Sequence, residues 1–484
     1  MNVPHLPAFR LGRPYESLDK LDIHDHRNSD LKAVLSTVNA GIIRKDLQRI
    51  EHSRAALKKF TCAELIEICA KAGGHFRDDT LPLGDRGHTH SATQYIETLS
   101  ATSGLPHGMI RRNMAKIHHA LTNMKTVLNG LTRGLDLGIL DAGGGEQFGA
   151  RLSFFPTAHA LGLVMPSNSP AVNSLWLPAI PLKTPVIIKP GREEPWTPYR
   201  LIQAFIAAGA PAEAFGFYPT DHEGAREILR ACGRSLLFGD KSTTAPYANN
   251  PAVQIHGPGL SKILIGDDCI EYWGDYVDVL VSAISDNGGR SCINASAIVV
   301  PKYAGEIAEA LARKLGPVQP APSDDPNARL AGFANPKMAE SIDAQIEEGL
   351  KVPGAIDVTG KYRTSLAPSS VTSRKVIFNG GVYLRPTIVL CENFRHPLAN
   401  REFLFPYASV VQVPQKEMLQ QTGCSLAVTA ITKDRAFIEQ LQNWPDIERL
   451  NIGPLSTLHV SWDQPHEGNL FEFLWKRRSL EQAW

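Results

Sequence analysis

The sequence predicts an α/β protein whose sheets are built mainly from parallel strands. From about residue 151, short apolar runs alternate with stretches of helical periodicity. The runs predicted to be strands are residues 161–165, 185–188, 235–238, 261–265 and 296–300. Helices are expected at residues 198–208 and 305–315. Strands and helices that alternate at this spacing are typical of parallel strands joined by crossover helices.

Local signals support individual helices. Thr197-Pro198 offers a hydroxyl cap and a first-turn proline, which predicts a helix start at this point. Gly209 is a favoured stop for the same helix. In the first third of the chain, residues 31–54, 63–72 and 109–131 carry apolar side chains at three- and four-residue spacing, which predicts a helical region.

Length and composition favour an ordinary globular protein with more than one domain. A chain of 484 residues is long enough for two or three separate cores. Hydrophobic residues make up 43% and charged residues 20%, which argues against long disordered stretches. We expect two α/β domains, with the change from the first to the second near residues 255–259.

Charge and cysteine usage argue against several classes of protein. A net charge of +1 gives no basic surplus for binding nucleic acid. No signal peptide is expected at the N-terminus, and no apolar run reaches the roughly 18 residues of a membrane span. Seven cysteines without a CxxC pair argue against a disulfide framework and a structural zinc site. His88 and His90, with His118 and His119 downstream, lack acidic or cysteine partners at metal-ligand spacing, so no metal site is predicted. These observations predict a cytoplasmic protein.

The segment Asn287-Gly288-Gly289-Arg290-Ser291-Cys292 is the first candidate for chemistry. A cysteine nucleophile needs open backbone around it and nearby donors that stabilise a thiolate and an oxyanion. The paired glycines supply the room, and the strand predicted to follow supplies a rigid mount. Considered alone, the same pattern also fits a half-buried cysteine at a loop-to-strand junction.

Further blocks give the sequence a resemblance to a known family. The stretches MPSNSP (165–170), LPAIPL (177–182), VIIKPG (186–191), GGVYLRPT (380–387) and REFLFP (401–406) occur in order, with Cys292 between the third and fourth. In order and separation they resemble the aldehyde dehydrogenase superfamily from about residue 150 to the C-terminus. The resemblance implies an aldehyde dehydrogenase-like α/β fold: a Rossmann-like cofactor domain, an α/β catalytic domain and a small oligomerisation element.

The resemblance also implies a division of the chain and an assembly. Residues 1–255 would hold the N-terminal helical region and the NAD(P)-binding domain, and residues 256–445 the catalytic domain with Cys292. Residues 446–484 would line the substrate mouth and form an oligomer interface. A homodimer or homotetramer is expected on the same ground.

Four residues take roles from the resemblance. Cys292 aligns with the nucleophile that attacks a carbonyl, and Asn168 with the amide that joins the cysteine N–H in the oxyanion hole. Lys189 aligns with the lysine that holds the adenosine ribose, and Glu402 with the glutamate that binds the nicotinamide ribose. Without the resemblance, Asn168 would be a turn asparagine, Lys189 a surface lysine at a strand end, and Glu402 a solvated loop acid.

His256 departs from the family pattern. It stands where the family has the glutamate that activates water to hydrolyse the thioester. Without that base hydrolysis should be slow, and the branches that pass the acyl group to coenzyme A, or reduce acyl-CoA, lack the same glutamate. His256 is itself a possible base near neutral pH. The remaining interpretation is a structural histidine whose hydrogen bonds are satisfied at a domain junction.

The cofactor region contains two further departures. Arg192 replaces the glutamate that usually grips the 2′-hydroxyl of NAD, which favours the 2′-phosphate of NADP(H), whereas the neighbouring Glu193 and Glu194 keep NAD(H) open. The family's Gly-x-Thr-x-x-Gly turn is replaced by a segment in which Gly239 and Ser242 are the predicted pyrophosphate contacts.

The expected function is NAD(P)-dependent interconversion of an aldehyde and an acyl-CoA through a Cys292 thioester, as in acyl-CoA reductases, with coenzyme A as co-substrate. The partner would be a small aldehyde or acyl thioester. A hydrolytic aldehyde dehydrogenase that produces a carboxylic acid is the alternative within the class. Because Arg290 replaces the family's usual Gln or Glu, a catalytically silent paralogue with a binding or structural role is the alternative outside it.

Overall fold

The computed structural model describes residues 3–363, 373–481 and 483. The strands are β1 (His5–Leu6), β2 (Ala8–Arg10), β3 (Arg13–Tyr15), β4 (Lys20–His24), β5 (Leu31–Ser36), β6 (Leu81–Leu83), β7 (His88–His90), β8 (Gly144–Gln147), β9 (Ala150–Pro156), β10 (Ala160–Val164), β11 (Val186–Lys189), β12 (Phe215–Phe217), β13 (Gly233–Phe238), β14 (Val253–His256), β15 (Lys262–Ile265), β16 (Ala297–Val300), β17 (Ala355–Asp357), β18 (Lys375–Phe378), β19 (Gly381–Leu384), β20 (Thr387–Cys391), β21 (Tyr407–Gln412), β22 (Ser425–Ile431), β23 (Ile447–Ile452) and β24 (Trp475–Arg478).

The helices are α1 (Ala40–Leu47), α2 (Ile50–Leu57), α3 (Cys62–Asp78), α4 (Ala92–Ser103), α5 (His107–Thr122), α6 (Met124–Thr132), α7 (Gly138–Ala142), α8 (Trp196–Ala207), α9 (His222–Ala231), α10 (Lys241–Thr244), α11 (Val277–Ser285), α12 (Ala304–Leu315), α13 (Pro336–Leu350), α14 (Gln415–Thr422), α15 (Arg435–Gln442) and α16 (Leu470–Leu474). Within the described part of the chain, none of them is long and apolar enough to cross a membrane.

The first large sheet has the strand order β14-β13-β10-β11-β12-β2-β3. Strands β10 to β14 are parallel, and β2 and β3 are added antiparallel at one edge. Strand β10 is buried along its whole length, as expected for a strand covered by helices on both faces. The strand order reverses beside β10, and ligands of such sheets bind at the carboxyl ends of the strands near that point.

The second large sheet has the strand order β17-β20-β21-β16-β15-β22-β23, with β17 as its antiparallel edge strand. One apolar cluster covers one face with residues of α13 and α15, and a second cluster covers the other with residues of α11 and α12. The chain passes from the first sheet to the second through residues 257–261, between β14 and β15. The predicted parallel α/β architecture is confirmed.

A smaller antiparallel sheet, with the order β24-β9-β8, links distant parts of the chain. The C-terminal strand β24 pairs with β9, so that Trp475 lies opposite Pro156. The glycine-rich stretch at residues 143–149 forms the turn and first strand of this hairpin.

The helical prediction for the start of residues 31–54 is wrong. Leu31–Ser36 is strand β5, which pairs with β1 and β4, and the helices α1 and α2 begin only afterwards. The buried residues Ala33 and Leu35 are two apart, which is the period of a strand. This short apolar run also fitted a helical period, and the pairing with β1 and β4 decides the outcome.

The predicted cap of α8 is also wrong in detail. The helix begins at Trp196, and Thr197 lies in its first turn rather than at its cap. The backbone N–H of Thr197 donates to the Glu194 carboxylate over 2.9 Å. Glu194 is therefore the residue that satisfies the free N–H groups of this helix end.

Candidate active site

The site lies where the two large sheets face each other. Asn168 follows the carboxyl end of β10, and His256 is the last residue of β14. From the second sheet, Cys292 precedes the amino end of β16. All three line one cavity, whose empty volume is about 1150 Å³ with its mouth included. The structure thus brings together the predicted nucleophile, the predicted oxyanion donor and the possible base.

The loop before Cys292 requires its glycines. Asn287, Gly288 and Gly289 all have positive φ angles, a conformation that glycine adopts without strain. A Cβ added at Gly289 would lie 2.3 Å from the backbone of Phe405, so no side chain fits there. The paired glycines that singled out this segment in the sequence are therefore required by its backbone conformation and its close packing.

Three hydrogen bonds fix the backbone around the nucleophile. The Asn294 Oδ1 accepts from the Ser291 N–H over 2.9 Å, and its Nδ2 donates to the Asp286 carbonyl over 3.0 Å. The Ser261 hydroxyl donates to the Cys292 carbonyl over 2.9 Å. Cys292 therefore stands on a loop that is held by its own neighbours and by the segment that joins the two sheets.

The Cys292 thiol is half-buried. Burial, together with the carboxylates of Glu467 and Glu402, raises its pKa above the ordinary value for a thiol. The thiol is thus protonated at neutral pH in this state. Its attack on a carbonyl requires a base that accepts the proton.

Asn168 contacts the nucleophile loop directly. Its Nδ2 donates one hydrogen bond, over 2.8 Å, to the carbonyl of Arg290. An amide nitrogen carries two hydrogens, so a second N–H is available to a ligand in the cavity. This geometry suits a donor to an oxyanion beside Cys292.

His256 forms a buried pair with Glu467, a residue that the sequence did not single out. The His256 Nδ1 contacts a carboxylate oxygen of Glu467, and the ring stacks on Phe238 with 4.4 Å between centroids. With Nδ1–H donating to the carboxylate, Nε2 carries the lone pair. Nε2 is buried and has no hydrogen-bond partner among the described residues.

Lys189 and Arg192 lie beyond the carboxyl end of β11. Lys189 is half-buried, and burial lowers its pKa, with Glu193 acting in the opposite direction. Across residues 3–363 and 373–481, no carboxylate lies within 4.0 Å of its ammonium. Arg192 is exposed. Both cations are therefore free to meet a ligand at this end of the sheet, which fits the phosphates and ribose of a dinucleotide.

Gly239 lies just before the short helix α10, and Ser242 lies within that helix. The Ser242 hydroxyl donates to the carboxylate of Asp240 over 2.7 Å, and the Thr243 N–H donates to the same oxygen over 2.9 Å. Asp240 thus occupies the start of α10 with a negative charge. Because Asp240 already accepts hydrogen bonds at this helix start, the structure supports a cofactor-binding role less for Gly239 and Ser242 than for the other predicted cofactor residues.

Glu402 lies at the amino end of β21 and faces the segment that connects the two sheets. One of its carboxylate oxygens accepts from the Leu260 N–H over 2.7 Å. Burial raises the pKa of Glu402 to about 7, while that hydrogen bond and the buried Lys262 act in the opposite direction. Glu402 is close enough to Cys292 to affect its pKa, but it does not line the cavity itself.

Sequence reasoning missed three residues of the cavity wall. Glu467 and His466 come from the C-terminal segment and Lys116 from α5. The first two lie within residues 446–484, which the resemblance assigned to the substrate mouth, but no pattern there singled out either residue. Nothing in the sequence around Lys116 distinguished it from a lysine on the surface of a helix.

Comparison with known proteins identifies the family. The model of the aldehyde dehydrogenase family matches residues 156–443. The chain is 23% identical over 312 residues to a protein of Staphylococcus haemolyticus named as an aldehyde dehydrogenase, covering 60% of this chain and 62% of the relative. It is 24% identical over 294 residues to the aminoacetaldehyde dehydrogenase of Pseudomonas aeruginosa, covering 56% and 55%. Each match spans less than two-thirds of the relative's length.

Solved structures show the same fold over nearly the whole chain. The aldehyde dehydrogenase KauB from Pseudomonas aeruginosa is 14% identical, with a TM-score of 0.79 over 99% of this chain and 96% of its own. An indole-3-acetaldehyde dehydrogenase solved with NAD+ is 17% identical, with a TM-score of 0.77 over 99% and 97%. The expected aldehyde dehydrogenase-like fold is thus confirmed. Since the family model matches more than half of its residues, the chain belongs to the aldehyde dehydrogenase family.

Proposed function

We propose that this chain oxidises an aldehyde to a carboxylic acid through a thioester on Cys292, with NADP or NAD as hydride acceptor. The observation that carries the proposal is the His256–Glu467 pair in the wall of the cavity that contains Cys292. A histidine oriented by a carboxylate is a general base near neutral pH. Position 256 therefore still holds a base, although the family's glutamate is absent.

The first half of the reaction needs a proton acceptor and an oxyanion site. The His256 Nε2 takes the thiol proton as the sulfur of Cys292 bonds to the aldehyde carbon. The free N–H of Asn168 and the backbone N–H of Cys292 donate to the oxygen that becomes negative. When bound, the dinucleotide supplies the acceptor for the hydride that leaves this carbon, and the acyl group is then held as a thioester.

The second half uses the same base on water. The His256 Nε2 first releases the thiol proton to solvent. It then removes a proton from water, whose oxygen attacks the thioester carbon, and the carbon–sulfur bond breaks. Cys292 leaves as a thiolate that regains its proton from the histidine. In sum, aldehyde, water and oxidised cofactor give acid, reduced cofactor and a proton.

Glu467 acts through His256 as a positioning residue. Its carboxylate accepts from Nδ1, which fixes the ring and leaves the lone pair on Nε2. The negative charge also stabilises the imidazolium that forms during each proton transfer. Without this partner, the histidine would lose its orientation.

The cofactor preference that we propose is NADP(H). One observation supports this preference. Glu194 is buried and accepts a hydrogen bond from Thr197, so its carboxyl group is not available to bind the 2′-hydroxyl of NAD. Arg192 is exposed at the place where a 2′-phosphate would lie. NAD(H) remains the alternative, with Glu193 beside it.

Coenzyme A is the acceptor in a second candidate function. The absence of the family's glutamate at position 256 favours it, because a long-lived thioester on Cys292 is available to another thiol. In this case the chain interconverts an aldehyde and an acyl-CoA, as an acyl-CoA reductase does. The two candidates differ in what cleaves the thioester.

The test follows the acyl group. Purified protein is given a panel of aldehydes and NADP or NAD in water enriched in oxygen-18, with and without coenzyme A. Label in the carboxylic acid and turnover without coenzyme A support hydrolysis. Turnover that requires coenzyme A, with an acyl-CoA product, overturns it in favour of the second candidate.

Variants of the pair sharpen the result. His256→Gln should slow the first burst of reduced cofactor in stopped-flow absorbance and lower steady-state turnover by about 10²–10⁴-fold, the range of general-base catalysis. Glu467→Gln should flatten the pH profile of kcat, and His256→Glu should restore hydrolysis. His222→Gln, at an exposed histidine on α9, is the matched control.

The domain limits and the assembly remain proposals of the same kind. The sheet order supports a change from a cofactor domain to a catalytic domain near the predicted limit at residues 255–256, whereas β23 extends the second sheet beyond the predicted end of the catalytic domain at residue 445. Residues 446–484 supply β24, which pairs with β9, so that the proposed oligomerisation element includes the hairpin β8–β9. Phe148 at its turn is 96% exposed. A homodimer or homotetramer that covers this ring would be seen by light scattering.

A further inference from the structure

The cavity beside Cys292 has apolar walls with one cation among its described lining residues. Lys116 of α5 is that cation. The apolar side chains around it include Val127, Leu131, Leu175, Leu236, Val460 and Leu470. An ammonium group in such surroundings has lost part of its hydration. A bound anion would therefore be stabilised by pairing with it.

Lys116 has no ion pair with any of the described residues. Across the described residues, no carboxylate oxygen lies within 4.0 Å of its Nζ. Asp286 attracts it from a longer distance, while Arg112 and Arg449 repel it. Burial lowers the pKa of Lys116. No described carboxylate in contact with Lys116 therefore competes with a bound anion.

His466 adds a second donor to the same wall. Arg449 donates to its Nδ1 over 3.1 Å, which places the ring hydrogen on Nε2. Burial, with the charges of Arg449, His256 and Lys116, lowers the pKa of His466 to about 3. The ring is therefore neutral, and its Nε2–H is a donor beside the ammonium of Lys116.

The position of Lys116 along α5 places it at some distance from the reacting atoms, between the floor and the mouth of the cavity. Asn113, one turn earlier, bonds to Asn287 of the nucleophile loop over 2.8 Å and thus marks the floor of the cavity. His119, one turn later, contacts Trp462, with 5.3 Å between ring centroids. Trp462 lines the cavity next to exposed residues of the mouth. Lys116 thus stands between floor and mouth, facing the non-reacting end of a substrate.

We propose that Lys116 and His466 bind a carboxylate at the non-reacting end of the substrate, so that the preferred substrate is an aldehyde that also carries an acid group. The inference rests on the proposed function, because it names the substrate class of the same site. Glu467, the carboxylate in this wall, is engaged by His256 and does not neutralise Lys116. The acid group is thus attracted toward the outer half of the cavity, and the aldehyde reaches Cys292.

The kinetic test compares pairs of aldehydes of equal chain length. Succinic semialdehyde is paired with butanal and glutaric semialdehyde with pentanal, in wild type, Lys116→Met and Lys116→Arg. Wild type should favour the acidic member in kcat/KM by at least tenfold. Lys116→Met should remove about 10- to 100-fold for the acidic member only, mostly in KM, as expected for loss of a charge-assisted bond. Lys116→Arg should retain the preference.

A binding test reports on the carboxylate site without turnover. Calorimetry measures glutarate, with glutaramide as the neutral probe, on the full-length Cys292→Ser variant and on the same variant with Lys116→Met. Glutarate should bind more tightly than glutaramide, and Lys116→Met should remove the difference. Lys125→Met, at an exposed lysine of α6, is the matched control and should change neither probe.

Failure of the carboxylate site and failure of the proposed aldehyde oxidation give different results in these tests. Equal kcat/KM for acidic and neutral aldehydes, or equal losses for both in Lys116→Met, overturn the inference and leave the proposed oxidation standing. Lys116-dependent binding of glutarate in a protein that oxidises no aldehyde supports the carboxylate site and overturns the proposed function. Glutarate that binds no better than glutaramide overturns the inference directly.

Discussion

The backbone of Gly259 packs directly against the carbonyl group of Cys292. A Cβ added at Gly259 would lie 2.1 Å from that carbonyl oxygen and 2.9 Å from its carbon. The Ser261 hydroxyl donates to the same oxygen over 2.9 Å. The segment that joins the two sheets is therefore what sets the position of the nucleophile, and it does so by close backbone contact.

Replacing Gly259 with alanine should displace Cys292 and lower kcat. The added methyl group forces the segment and the nucleophile loop apart by at least several tenths of an ångström, and a misplacement of 1 Å costs about 10²-fold in rate. Gly305→Ala on α12 is the control, because nothing lies within 4 Å of its added Cβ. Steady-state kinetics with a thermal melt of each variant measure both effects. Full activity in Gly259→Ala would contradict the role given to this contact.

Asn168→Ala should lower kcat by about 10²–10³-fold, the loss seen when one oxyanion donor is removed. Its amide lies beside the nucleophile loop, where it donates to the Arg290 carbonyl. Asn168→Asp keeps the shape and adds a negative charge beside the oxyanion, so it should be at least as damaging. Cys292 alkylation by iodoacetamide should proceed normally in Asn168→Ala, because the thiol itself is intact and no charge is added beside it. A loss of alkylation would show that the loop had collapsed instead.

The fold could be predicted from the sequence because its signals are local. Apolar runs marked β10, β11, β13, β15 and β16 to within one or two residues. The order of the family blocks predicted that Cys292 and Asn168 act together, and the structure places both on one cavity although they belong to different sheets. The error at residues 31–36 arose where pairing with β1, a partner from the far N-terminus, overrides a helical pattern.

The rest of the site depends on contacts between distant residues. Glu467 meets His256 across 211 positions of the chain, and no spacing rule links the two. Lys116 is one of several polar residues on α5, and only the packing of α5 against the C-terminal segment turns it toward the cavity. The capping role of Glu194 was hidden because Thr197-Pro198 carries the stronger local signal for a helix start.

Glu194 should make the protein less stable as pH rises. Burial raises its pKa from 4.5 to about 8. The folded state therefore binds a proton that the unfolded chain releases above pH 4.5. This contribution is fully present below about pH 4.5 and is lost as pH rises through about 8, with an upper bound of about 5 kcal/mol at 1.4 kcal/mol per pKa unit.

Glu194→Gln tests this pH dependence. The amide oxygen still accepts from the Thr197 N–H, and no charge needs to be buried at high pH. Urea unfolding should give nearly equal free energies for wild type and variant at pH 5 and a more stable variant at pH 9. Glu193→Gln, next to it and half-buried, is the control. Parallel curves for Glu194→Gln and wild type across this range would show that Glu194 is ionised in the folded state.

Arg192→Gln should lower the preference for NADP over NAD. The guanidinium is exposed beyond β11, and charge-assisted hydrogen bonds to a 2′-phosphate contribute about 1.5–3 kcal/mol, or roughly 10- to 100-fold in relative kcat/KM. The loss should fall on KM for NADP, with KM for NAD unchanged, and should shrink at high salt because exposed charges are screened. Arg226→Gln removes an exposed arginine from α9 and controls for net charge. An unchanged NADP-to-NAD ratio in Arg192→Gln would assign cofactor choice to another part of the site.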